Sequence, residues 1–329
     1  MITLYKSKKL RKAMLSPARV LFLPVLFLMM QSALFAQPKA AGEPFALISS
    51  PSHNFMNAMW SPDGQTIAFS SDNFNGIWLA DANGHNLRQL TDDGAVGFGF
   101  SWSPDGKFIL GRPAVYENRR RFHKVKIYDV NTKQEEVLLE NTRDLYGLPA
   151  WTPDGFQVAM VRNGNIEFSS SERLQKNRSE KPDNVVYAIN GKLFNINQVT
   201  RSDVEITAFD GRVIFNVSIS PDRSKVAFQV QGKGLYVLNT DGSGLQHLGH
   251  GEHASWLPGS DYIVVTMVED DGHYITGGEL YAINVATGQS HHLTGHTQLI
   301  ALKPAVSPCG KWVAFDNPND GNIYKMELR

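Results

Sequence analysis

Cysteine is nearly absent from this 329-residue chain. Cys309 is the only one, so no internal disulfide can form and the core alone must hold the fold. Long apolar runs are equally scarce. The one candidate, VLFLPVLFLMM from Val20 to Met30, falls short of the roughly 20 residues that a membrane-spanning helix needs, and Pro24 interrupts it. Acidic residues are missing from the first 36 positions, which hold six of the 32 basic residues and none of the 32 acids. The remaining 293 residues therefore carry a formal charge of −6 and lack the basic footprint that nucleic acid or an anionic bilayer requires. There is no GxSxG nucleophile elbow, and the glycine-rich pieces GKG and GSG read as hairpin turns rather than phosphate loops.

The charge asymmetry has a direct reading. A basic start, a short apolar core and the small-residue exit SALFA ahead of Gln37 form a secretory signal over residues 1–36, cut between Ala36 and Gln37. No cysteine stands at that site, so lipid attachment is excluded. A soluble periplasmic or secreted product with no transmembrane helix is expected.

What the chain has in quantity is a repeat. A Pro-Asp-Gly-type turn precedes an alternating apolar run six times: SPDGQTIAFSS at Ser61, SPDGKFILGRP at Ser103, TPDGFQVAMVR at Thr152, SPDRSKVAFQV at Ser220, LPGSDYIVVTM at Leu257 and SPCGKWVAFDN at Ser307. The turn prolines are 42, 49, 68, 37 and 50 residues apart, and periods near ~40 to 45 residues signal propeller blades. A second hairpin, such as GIWLADANGHNLRQLT or GELYAINVATGQSHHLT, follows in every repeat, giving four strands per unit. The expected fold is all-β: a six-bladed β-propeller of four-stranded antiparallel blades over residues 37–329. The 68-residue interval contains NVVYAINGKLFNI and admits a seventh blade. Two blades there would average 34 residues, below the shortest interval seen, so one blade with a polar insertion around 168–186 is expected instead. The last repeat stops after its third strand, and FALIS at Phe45 matches the fourth-strand endings RQLT, VEIT and HHLT. The ring is therefore expected to close through an N-terminal strand, which removes an open edge.

Several residue types that might suggest chemistry are absorbed by this pattern. All six tryptophans occupy repeat positions suited to seams between blades, leaving none as a sugar platform. Asp63, Asp105, Asp154 and Asp222 sit where an Asx-type turn needs a carboxylate. Cys309 replaces that Asp in a degenerate turn.

The pattern SPDG…IAF…GxxIWxxDxxGxxxxxLT resembles the WD-like Pro-Asp repeat of the TolB-like propeller family, and the resemblance covers nearly all of the chain after residue 36. It implies a noncatalytic binding module or scaffold for an envelope or cell-wall-associated protein partner, most simply as a monomer. TolB itself has an α/β domain ahead of its propeller, whereas only Gln37 to Pro44 precede the closing strand here. The oligogalacturonate lyases are similar propellers with a funnel metal held by histidines. They supply the alternative reading, a metal-dependent carbohydrate-active enzyme.

Strand order places the candidate site. First-to-second and third-to-fourth connections share one face and are tight turns. The longer second-to-third loops and the crossovers between blades share the other, which marks it as the binding face. That face collects His53, His123, His250, His253, His273 and His296. His250 and His253 flank Glu252, and His53 or His296 could join them from other blades, a donor type suited to Zn, Mn or Ni. Loop histidines arising by chance are the stronger account, so no cofactor is expected and a divalent metal remains the alternative. Two charged clusters, Arg119-Arg120-Arg121 and Glu269-Asp270-Asp271, complete the candidate surface.

Overall fold

The Pro-Asp turns build what their chemistry dictates. In the computed structural model, which describes residues 37–174 and 184–329, Gly64 N–H closes the turn onto the Ser61 carbonyl at 2.9 Å. The Ser61 hydroxyl donates to Asp63 Oδ1 at 2.6 Å and accepts the Thr66 N–H at 2.9 Å. That hydroxyl, then the Gln65 amide, hold Asp63 below the usual carboxylate range. The same hydroxyl–carboxylate pair recurs at Ser103–Asp105, Thr152–Asp154 and Ser220–Asp222. These carboxylates are turn parts.

Each turn joins an inner strand to the second strand of an antiparallel sheet, and the described residues contain seven such sheets. In chain order, blades 1 to 7 cover residues 55–91, 101–142, 145–170, 184–208, 214–249, 252–292 and 302–327, the last completed by Phe45–Ile48. Seven apolar clusters fill the seams, one per neighbouring pair of blades. Ala68, Leu79, Ile109 and Tyr128 pack blade 1 on blade 2, for example, and Ala314, Ile323, Ile67 and Phe69 pack blade 7 on blade 1. The expectation of six blades is thus corrected to seven.

The physical reason lies in the long interval. Most of blade 3 and all the described strands of blade 4 fall inside it, three described strands each, so the interval holds the parts of two blades. The uniform four-stranded blade is corrected with it, since blade 2 carries a fifth strand, Ala114–Glu117. The insertion expected around 168–186 begins inside the third strand of blade 3, Asn165–Ser170, and ends inside blade 4, whose first described strand is Asn184–Ile189. Residues 175–183 of it, like residues 1–36, which were expected to form a signal, lie outside the described residues.

Tryptophan staples the seams. The indole N–H groups of Trp60, Trp102, Trp151 and Trp256 donate to the carbonyls of Ala305, Met59, Ser101 and Ser218, each on an inner strand of the preceding blade, at 3.0 to 3.3 Å. The ring closes as the sequence suggests. Phe45, Ala46 and Ile48 pair antiparallel with Lys325, Tyr324 and Ile323, and Lys39 N–H reaches the Arg329 carbonyl at 2.9 Å.

Candidate functional site at the loop-rich end of the channel

The inner strands share a feature that alternation alone does not produce. Three residues before the end of most of them the backbone turns left-handed: Asn57 (φ 60°), Gly99 (φ 82°), Asn216 (φ 49°), His253 (φ 53°) and Lys303 (φ 49°). Gly147 (φ 66°) does the same in blade 3. The register with the second strand slips at Asn57, Gly147, Asn216, His253 and Lys303, which makes each a β-bulge at the same height in the ring. Glycine takes this conformation freely, but Asn, His and Lys are strained there, and such outliers gather at functional sites.

A bulge frees a backbone N–H, and the preceding blade answers it. Asp316, only 5% exposed, accepts the Asn57 N–H with both carboxylate oxygens at 2.8 Å. Gln229 Oε1 accepts the His253 N–H of the next blade at 3.4 Å and, within its own blade, the Asn216 side-chain Nδ2 at 2.6 Å. Arg112 works in the opposite sense, donating to the Gly147 carbonyl at 2.7 Å. Burial pushes the Asp316 carboxyl up to about 6, against the pull of Lys303 and the Asn57 and Ala58 amides. Burial, then Lys303, push His253 down to about 4, so its imidazole is neutral at neutral pH.

Around these bulges the inner strands begin with exposed apolar side chains. Phe98, Tyr146, Leu148 and Phe215 are 40 to 53% exposed at the loop-rich end of blades 2, 3 and 5. Phe74, itself left-handed at φ 59°, meets Phe98 edge-on at 5.2 Å. The Lys303 ammonium lies 4.4 Å above the Phe74 ring, and the Arg112 guanidinium 5.9 Å from the Phe98 ring.

The residues singled out by sequence fall at several places. Arg119, Arg120 and Arg121 form the exposed tip of a hairpin that extends blade 2, where Tyr116 pairs with Arg121 and Glu117 with Arg120. His123 lies lower on that hairpin, and burial followed by the Arg112 and Arg121 charges pushes it down to about 4. Glu269, Asp270, Asp271 and His273 occupy the matching extension of blade 6, with Asp271 accepting the His273 and Tyr274 N–H groups at 2.8 Å. His250 is exposed on the crossover into blade 6, whereas His253 sits on the bulge. His53 lies tilted against Trp78 at 5.0 Å and stacks on Phe55 at 6.0 Å. His296 lies 3.6 Å from Glu43, at a rim groove of about 660 Å³ lined also by His291 and His292. Among the described residues no three His, Cys, Asp or Glu side chains gather as a metal set, and His53, His250, His253 and His296 do not fit one.

Sequence reasoning did not reach Asn57, Asn216, Lys303, Asp316, Gln229, Phe74, Phe98 or Arg112. The signal was available in NAMW, NVSI, HASW and KPAV, which place a polar residue at one fixed point of four inner strands.

No protein-family model matches the chain. A curated relative, an uncharacterized peptidase YuxL of Bacillus subtilis, is 30% identical over 121 residues, covering 35% of this chain and 18% of that protein. The match thus spans under a fifth of the relative's length. Among solved structures, the β-propeller domain of Cps50 (Swd1) from Myceliophteria thermophila aligns at TM-score 0.62 with 14% identity, covering 87% of this chain and all of that one. An oligogalacturonate lyase from Vibrio parahaemolyticus aligns at 0.57 with 15% identity over 88% and 98% of the two chains. TolB from Acinetobacter baumannii aligns at 0.49 with 16% identity, covering 84% and 64%. The first two likenesses show a β-propeller.

Proposed function

We propose that this chain is an exported, noncatalytic propeller module that binds a polypeptide partner of the envelope or cell wall at the loop-rich end of its channel. The exposed collar of Phe98, Tyr146, Leu148 and Phe215 carries the reading. Scattered apolar residues on a surface need no explanation, but these lie at or near the starts of the inner strands of blades 2, 3 and 5. Aromatic side chains there offer the anchoring area that dominates protein interfaces. The charged hairpins of blades 2 and 6 flank the opening and supply steering rather than affinity. Among the described residues no helix is long and apolar enough to cross a membrane.

The test is capture. In intact cells, crosslinking from residue 98 should trap a protein partner, and the Phe98→Ala/Phe215→Ala double variant should lose that product at least tenfold. Its thermal midpoint should match the parent, because both side chains are exposed. Chelator should leave capture unchanged. Equal capture by the double variant would refute the assignment.

A further inference from the structure

Resting on that reading, the partner's chemistry can be narrowed. We infer that the strip running from Lys303 across Phe74 and Phe98 to Arg112 is an acidic-peptide site, holding an apolar side chain between carboxylates.

Both cations lack a carboxylate partner. Among the described residues the Lys303 ammonium has no hydrogen-bond acceptor, and it rests on the face of Phe74. Asp316, the acid that acts on it electrostatically, uses both oxygens for the Asn57 amide and forms no ion pair with it. Arg112 spends one nitrogen on the Gly147 carbonyl, while its Nε is buried with no partner. Its neighbouring charged group is another cation, Arg121, and beside them His123 Nδ1 is also buried without a partner. A buried polar group left unpaired is costly, so a carboxylate that reached this cluster would recover part of that cost.

Backbone strain points to the same strip. Asn73 and Phe74 are consecutive left-handed residues, which together present the Phe74 ring to Lys303 and Phe98. Bulky residues hold this conformation only where the surroundings over-determine it.

A peptide fits better than an acidic oligosaccharide. Sugars pack on open aromatic faces, but Lys303 covers one face of Phe74 and Phe98 meets its ring edge-on. The tryptophans best suited to stacking donate across blade seams. What remains exposed is the collar of Phe98, Tyr146, Leu148 and Phe215, which suits apolar side chains.

Selection of a random peptide library on the purified protein tests this. Enriched peptides should carry Asp or Glu beside a large apolar residue. A labelled consensus peptide should bind about tenfold more weakly to Lys303→Met, with Lys303→Arg close to the parent. The same peptide with Asn and Gln replacing its acids should bind both forms alike. If Lys303→Met does not melt cooperatively, Phe98→Ala takes its place and should lower affinity for the acidic peptide at least fivefold. Enriched peptides without acidic excess would overturn the inference and leave the binding-module reading standing. Binding of trigalacturonate with no peptide enriched would overturn both.

Discussion

At the residue scale, Asp316 shows how a bulge can store pH dependence. Its carboxyl titrates near 6 in the folded chain against about 3.9 when unfolded, so between those values the native state holds the proton more tightly. Stability from this group is complete below about pH 4 and is lost as pH rises through about 6, on the order of 2–3 kcal/mol in all. Lys303, the charge facing it, works against that loss. Asp316→Asn should remove this falling contribution, so that with the depressed His123 and His253 left to act in the opposite sense the unfolding free energy rises more steeply from pH 4 to 6 than in the parent, measured by urea titration. An unchanged slope would mean that the carboxylate is already ionised at pH 4. The seam tryptophans make a second expectation. Trp256→Phe keeps most of the buried ring but orphans the Ser218 carbonyl, and should cost about 1–3 kcal/mol in the same assay.

Elements were legible in proportion to how local their chemistry is. Ser61, Pro62, Asp63 and Gly64 fix a turn with their own side chains, so four such turns and the strands after them could be placed from residues alone. Blade 4 was hidden because spacing was weighed ahead of turn chemistry. A fifth Pro-Asp pair, Pro182-Asp183, stands directly before the strand Asn184–Ile189, as the other four stand shortly before second strands. Its later turns also match their counterparts. Asn197 Oδ1 accepts the Val199 and Thr200 N–H groups just as Asp129 accepts those of Asn131 and Thr132. The candidate site was less legible because it is assembled across seams. Lys303 meets Phe74, and Asp316 meets Asn57, through contacts between blades 7 and 1 that lie far apart in the chain. No periodicity within one repeat reports such a pair. The closing strand is an element with a testable role: deleting residues 37–50 should expose the edge of Asn322–Glu327 and produce oligomers on size exclusion with a lowered midpoint.

For the whole molecule, seven blades mean seven seams of unequal size. Among the described residues the seam between blades 3 and 4 has the smallest buried cluster, Ala159, Val185 and Ile196, and it adjoins the two blades with three described strands. Local opening should begin there, where the fewest apolar side chains are lost to water. The pairing of Phe45 with Lys325 carries a different consequence, one of time. A strand synthesised near the beginning waits for a partner made near the end, so this contact has almost the largest sequence separation the chain permits. Such contacts repay their loop entropy last and slow folding. A chain made from its N-terminus therefore keeps its ring open until the end, and the first strand acts as a latch that closes only after the seventh blade has arrived. A circular permutant that places Phe45–Ile48 directly after Glu327 would turn the latch into an ordinary hairpin, and should refold several-fold faster than the parent at similar stability.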